Sequence, residues 1–138
     1  MLLFTTSKRI ALSENAEHIV TKDFAGNTLT GEKNYRLYLP PGMPANNFWS
    51  VIAYDNITDL MIKTDQSWPS VHSSCKKLQL NQDGSIDIWF GPNATAGKEN
   101  NWIQTIPGKG WNVILRLHEP LESWVNKTWI PGEIEEVK

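Results

Sequence analysis

The chain has 138 residues, 40% of them hydrophobic and 20% charged, with a formal net charge of −2. A chain of that size buries a core without covalent staples, and its 13 basic residues are scattered, which excludes the clustered Lys/Arg needed to displace counterions from nucleic acid. The single cysteine, Cys75, excludes an intrachain disulfide framework and a cysteine-rich metal site.

Met1 to Phe4 is apolar but shorter than the about 7–15 residues of a signal-peptide core, and no stretch approaches the ~20 apolar residues of a membrane span. The expectation is one cytoplasmic domain over residues 1–138, with no membrane or nucleic-acid partner. Residues 1–25 are weakly defined. Ile10 to Leu12 and Ala16 to Val20 carry thin apolar content, readable as a short helix with Ser13 as cap and Glu17 as capping-box partner, or as a strand. Turns follow at 23–27 and at Gly31.

From Asn34 the period becomes two. Tyr35, Leu37 and Leu39 share one face, Arg36 and Tyr38 the other, and Pro40-Pro41-Gly42 ends the strand. The next strand, Phe48 to Asp55, is apolar on both faces, which predicts a central strand covered on both sides. Residues 58–77 read as a long polar excursion. Leu78–Leu80 and Ile86–Phe90 flank Asn81-Gln-Asp83-Gly84, predicting a hairpin in which Gly84 takes positive φ.

The last predicted strand is Trp111 to His118. One or two helical turns are expected over 119–127, with Pro120 at the first helical position, and residues 133–138 form a solvated tail. Short strands punctuated by turns every ten residues or so predict an antiparallel sandwich or barrel. Trp49 and Trp111 alternate with Val, Ala or Leu and are expected in the core. There are seven tryptophans, a residue favoured in strands and at interfaces.

Several segments in combination resemble a known family: Tyr35-Arg-Leu-Tyr-Leu-Pro-Pro-Gly, Phe48-Trp-Ser-Val-Ile-Ala-Tyr-Asp, Asn81-Gln-Asp-Gly-Ser-Ile-Asp-Ile-Trp-Phe-Gly-Pro, Asn101-Trp-Ile-Gln-Thr, Pro107-Gly-Lys-Gly-Trp, Arg116-Leu and Lys127-Thr-Trp. From about Gly26 to Val137 the chain is similar to the domain of unknown function 1214. The resemblance implies a mainly β, jelly-roll-like β-sandwich with one or two short helices. It implies no catalytic residues. It also implies an N-terminal partner domain, number 1254, which these residues do not include. The sequence is therefore either a cut-down frame or a chain that uses the vacated surface differently.

The residues that bear chemistry have bland readings beside the functional ones. Asp55 with Asp59, and Asp83 with Asp87, are paired carboxylates, but general acid/base work needs two of them converging on one cleft. Asp83 is explained as an acceptor in an Asx-type turn. His18, His72 and His118 lack metal-ligand spacing, so no metal and no cofactor is expected. Gly108-Lys-Gly110 precedes a strand and lacks the helix N-terminus of an anion cradle.

The best binding candidate is Lys98-Glu-Asn-Asn101-Trp102 with Gln104. An indole there can stack on a sugar or flat ligand while amides bond its hydroxyls; alternatively, Trp102 plugs the sandwich and the amides satisfy loop backbone. Arg36 and Arg116, charged positions within strands, either line a cleft or pair with acids on a wet face. The binding set is Arg36, Tyr54, Asp55, His72, Lys98, Asn101, Trp102, Gln104 and Arg116.

The leading reading is a ligand-binding or interaction module, with a small-molecule or sugar-like ligand. It is expected to self-associate as a homodimer or higher closed oligomer through Trp68, Trp124 and Trp129. One alternative is a hydrolase with a cleft of Asp55, His72, Lys98, Asn101 and Arg116. The other is a structural remnant of a two-domain protein.

Overall fold

The computed structural model describes residues 7–11 as backbone and residues 15–138 with side chains, Asn47 again as backbone. Nine strands form among the described residues: β1 Ser7–Ala11, β2 Asn15–Val20, β3 Asn34–Leu39, β4 Ala45–Asp55, β5 Ser70–His72, β6 Ile86–Gly91, β7 Trp102–Gln104, β8 Trp111–Pro120 and β9 Ile134–Val137. A five-stranded sheet runs β1-β2-β8-β4-β5 and a four-stranded sheet runs β7-β6-β3-β9. Their ladders are antiparallel except β6–β7, which is parallel and connected through a 3₁₀ turn at Glu99–Asn101.

The two sheets pack as a sandwich because alternation assigns one face of each strand to the core. On β3, Tyr35, Leu37 and Leu39 are buried; on β8, Trp111, Val113, Leu115 and Leu117. Trp111 joins the layers: its ring stacks on Phe90 at 4.7 Å and meets Tyr35 edge-on at 5.4 Å. Its Nε1 is enclosed without an acceptor, so packing alone holds the ring. Trp49 is also buried. Each such side chain contributes roughly 1.5–3 kcal/mol by leaving water.

Several expectations are corrected. The helical alternative for the N-terminal segment gives way to strands, with Ala16, His18 and Val20 buried at period two; Glu17 lies in β2, and Ser13 lies outside the described residues. No strand forms at Leu78–Leu80. The Asn101 carboxamide accepts from Gln79 N at 3.0 Å and donates to Gln79 O at 2.8 Å, so this backbone pairs with a side chain instead of a ladder. The turn itself stands, with Gly84 at φ +88°.

β4 is fully covered on one face and partly on the other: Trp49, Val51 and Ala53 are buried, while opposite them Ser50 is buried, Ile52 and Tyr54 are half-buried and Phe48 is exposed. The helix shrinks to one turn, α1 Glu122–Val125, with Leu121 as its N-cap. Pro120 instead ends β8 opposite Ala45, where its missing N–H costs no ladder bond. The expected tail supplies β9: Ile134 is fully buried and the strand pairs with β3.

Two of the three tryptophans expected at an interface are core residues. Trp124 and Trp129 are buried, and Trp129 Nε1 donates to Pro40 O at 3.1 Å. Trp68 is exposed. It lies on the 56–69 connection between β4 and β5, the strand that interrupts the excursion expected over 58–77. Gln66 of this connection fills the free edge of β7, its Nε2 donating to Trp102 O at 3.0 Å and its Oε1 accepting from Gln104 N at 2.8 Å. An unpaired edge invites strand addition, and a side-chain amide closes this one. No helix among the described residues is long and apolar enough to cross a membrane.

Candidate functional site

Because Tyr35, Leu37, Ile86, Ile88, Phe90 and Ile103 point inward, the residues between them must line the opposite face of the four-stranded sheet. The register then sets Glu135, Arg36, Trp89 and Trp102 side by side in one row across β9, β3, β6 and β7. A second row pairs Tyr38 with Asp87, and a third sets Gly91 beside Gln104, with the Asn34 side chain against Gly91. Two half-buried indoles therefore stand on neighbouring strands, ringed by hydrogen-bonding side chains.

Their surroundings are partly self-satisfied. Arg36 lies 3.6 Å from Asp87 and 4.0 Å from Glu135. Asp87 also accepts from Asn81 Nδ2 at 3.2 Å. Trp102 Nε1 donates to Gly91 O at 3.0 Å, which lays the indole toward β6. A Cβ at position 91 would meet the Asn34 carboxamide, which would have to turn away to make room. Lys98 Nζ sits 5.6 Å from the Trp89 ring centroid, within cation–π range.

Of the nine residues in the expected binding set, Arg36, Lys98, Trp102 and Gln104 meet on or beside this face. Gln104 is engaged with the excursion, its Oε1 accepting from Asp65 N at 2.9 Å and its Nε2 donating to Pro92 O at 3.2 Å. Asn101 is buried and wholly occupied by backbone, donating also to Asp87 O at 3.0 Å. It anchors the loop that carries Lys98.

The rest lie elsewhere. His72 and Arg116 face outward from the five-stranded sheet in one row, Glu17–Arg116–Ser50–His72. Arg116 is held by Glu17 Oε2 at 2.6 and 2.8 Å, the paired reading of a charge on a wet face. His72 Nδ1 accepts from Ser74 N at 3.2 Å and its ring lies 5.6 Å from Phe48. Tyr54 and Asp55 end β4, opposite Asn112 and Trp111. Thus Asp55, His72, Lys98, Asn101 and Arg116, the hydrolase set, are spread over three strands of the five-stranded sheet and the 3₁₀ turn.

Asp55 lines a shallow depression with Asn56, Ile57, Thr58 and Gly108–Gly110. Its carboxylate accepts from Ile57 N at 2.8 Å and Thr58 N at 3.1 Å. Those N–H groups, helped by Lys109, hold it below its ordinary range. The Ser85 hydroxyl and N–H do the same for Asp83, and Gly108 N–H for Glu32. These are turn-locking carboxylates, held ionised, the opposite of a general acid. Among the described residues no three His, Cys, Asp or Glu side chains group to hold a metal.

Sequence reasoning passed over Trp89, Tyr38 and Asp87 as site residues. The signal was present in the alternation of Asp87 and Trp89 between Ile86, Ile88 and Phe90. What it lacked was the parallel pairing that brings Trp102 alongside.

Comparison with known proteins agrees with the fold. A crystal structure of a protein from Vibrio parahaemolyticus superposes with a TM-score of 0.77 at 24% identity, over 91% of this chain and 31% of that one. A crystal structure of an uncharacterised protein from Burkholderia cenocepacia gives 0.57 at 19% identity, over 92% of this chain and 30% of the other. The chain thus spans about a third of the length of these two structures. No curated protein matches it. The profile described as "Protein of unknown function (DUF1214)" matches residues 14–122, the greater part of the sequence, and the chain belongs to that family.

Proposed function

We propose that this protein is a ligand-binding module whose site is the outer face of the four-stranded sheet, and that its ligand carries sugar-like rings. The observation that carries the reading is the register Trp89↔Trp102. It roots two indoles on the same outer face, on backbones one strand spacing apart, about 4.8 Å. Pyranose rings present a C–H face to an aromatic ring and hydroxyls at their rim. Arg36, Tyr38 and Asp87 line the neighbouring positions, where they can meet those hydroxyls. A few placed polar groups beside aromatic surface is the usual make-up of a small-ligand site.

The test is a titration of a panel of oligosaccharides, read by calorimetry and by the indole N–H resonances. Trp89→Ala and Trp102→Ala each abolish binding while the far-UV spectrum is retained. Binding that survives both substitutions, or a panel with no ligand at all, overturns the reading.

A further inference from the structure

Resting on that platform, we infer that Lys98 competes for it from within: in the free protein its ammonium covers the Trp89 ring, and a ligand reaches that ring by displacing it. Lys98 Nζ stands over the ring at 5.6 Å from its centroid, inside the distance at which an aromatic face attracts a cation. Trp89 is half-buried, so only part of its ring is open. A sugar meets an indole through its C–H face, and thus needs the surface that the ammonium holds.

The competitor is fixed at its base and free at its tip. Lys98 N donates to Thr95 O at 2.9 Å, and Lys98 O accepts from the N–H of Asn101 at 3.0 Å. Asn101 is in turn tied by its carboxamide to the backbone of Gln79 and Asp87. The backbone of Lys98 is thereby held beside β6, while its exposed side chain carries the ammonium on a flexible four-carbon stem. Uncovering Trp89 needs rotation of that stem and no opening of the loop.

Displacement works against binding. The carboxylates of the face, Asp87 and Glu135, already engage Arg36 at 3.6 and 4.0 Å, so the released ammonium returns to water and its ring contact is lost. An exposed contact of this kind lowers the affinity of a competing ligand about two- to fivefold. Lys98 therefore sets a threshold: a ligand that stacks more strongly than the ammonium binds, and one that does not leaves the ring covered.

The experiment joins two measurements, with neutral cello-, manno- and malto-oligosaccharides as probes. By NMR of the free parent, the Lys98 methylene protons next to Nζ should be displaced upfield by the ring current of Trp89. Trp89→Ala should return them to the ordinary lysine position, and so should saturating the parent with an oligosaccharide that binds. By calorimetry, Lys98→Ala should bind that oligosaccharide about two- to fivefold more tightly than the parent. Lys98→Arg, which keeps a cation, should bind no more tightly than the parent, and Trp89→Ala should not bind. Equal or weaker binding by Lys98→Ala, or Lys98 protons that are unshifted in the free protein or stay shifted at saturation, overturns the inference; if Trp89→Ala still abolishes binding, the platform stands. Binding that survives Trp89→Ala, or no binding of any probe, overturns both.

Discussion

The two outward faces of the sandwich arise from the same period-two alternation, yet they differ in what they leave unspent. On the five-stranded face, Ile19, Ile114 and Ile52 lie in one row, Arg116 is held by Glu17, and His118 Nδ1 lies 2.9 Å from Asn15 Oδ1. Those polar groups have partners within the sheet. On the four-stranded face two indoles stand on neighbouring strands beside the Arg36–Asp87–Glu135 group, and Lys98 reaches Trp89 from a neighbouring loop. Pattern decides which residues face out; only pairing across strands decides whether their chemistry is already consumed.

The largest expected effect tests what couples the faces. Trp111 belongs to one sheet and packs on Phe90 and Tyr35 of the other. Trp111→Ala should cost ~3–5 kcal/mol, a large part of a typical total of roughly 5–15 kcal/mol. Chemical denaturation measures it, and an unchanged midpoint would mean the layers do not meet there.

Next comes Asn101→Ala, which separates structure from binding within one loop. The substitution removes three hydrogen bonds to the backbone of Gln79 and Asp87, each worth about 0.5–1.5 kcal/mol where water can take the place of the lost partner. The melting temperature should fall clearly. Lys98→Gln should leave it unaltered, which would separate the buried anchor of this loop from its exposed cation.

Smaller still is the effect of Arg116→Leu on the other face. The Glu17–Arg116 pair is partly exposed, with Arg116 at 42% side-chain exposure, so its loss should cost about 0.2–1 kcal/mol. Ligand binding should not change. A binding defect in this variant would move the site to the five-stranded sheet.

The mildest effect concerns the turns that join the faces. Asp83, Asp55 and Glu32 have pKa values lowered in the folded chain by turn hydrogen bonds. A lowered folded pKa stabilises above the unfolded value and loses that contribution as pH falls through the folded one. Thermal stability should thus hold down to about pH 5 and decline below the ordinary carboxylate range near ~4. Asp83→Asn should show a shallower acid decline than the parent; an identical decline would assign the acid sensitivity to other groups.

The sequence by itself determined whatever depends on local alternation and backbone chemistry. It marked Tyr35, Leu37 and Leu39 as one buried face, Trp49 and Trp111 as core, and Gly84 as the positive-φ residue of an Asp-Gly turn. Those signals are local because side-chain period and φ preference act within a few residues. The tertiary structure decided the rest. Ile134 became a core strand residue because β3 offered it a free edge, a fact invisible in a short segment that reads as polar. Leu78–Leu80 lost its ladder to one distant carboxamide. Trp124 and Trp129 went inside because their short connection folds back against Pro40 and His18. Trp89 met Trp102 only through a parallel pairing whose register is set by packing across the sandwich. Long-range contact chooses among surfaces that local pattern leaves equivalent, and the candidate site lies on the surface it chose.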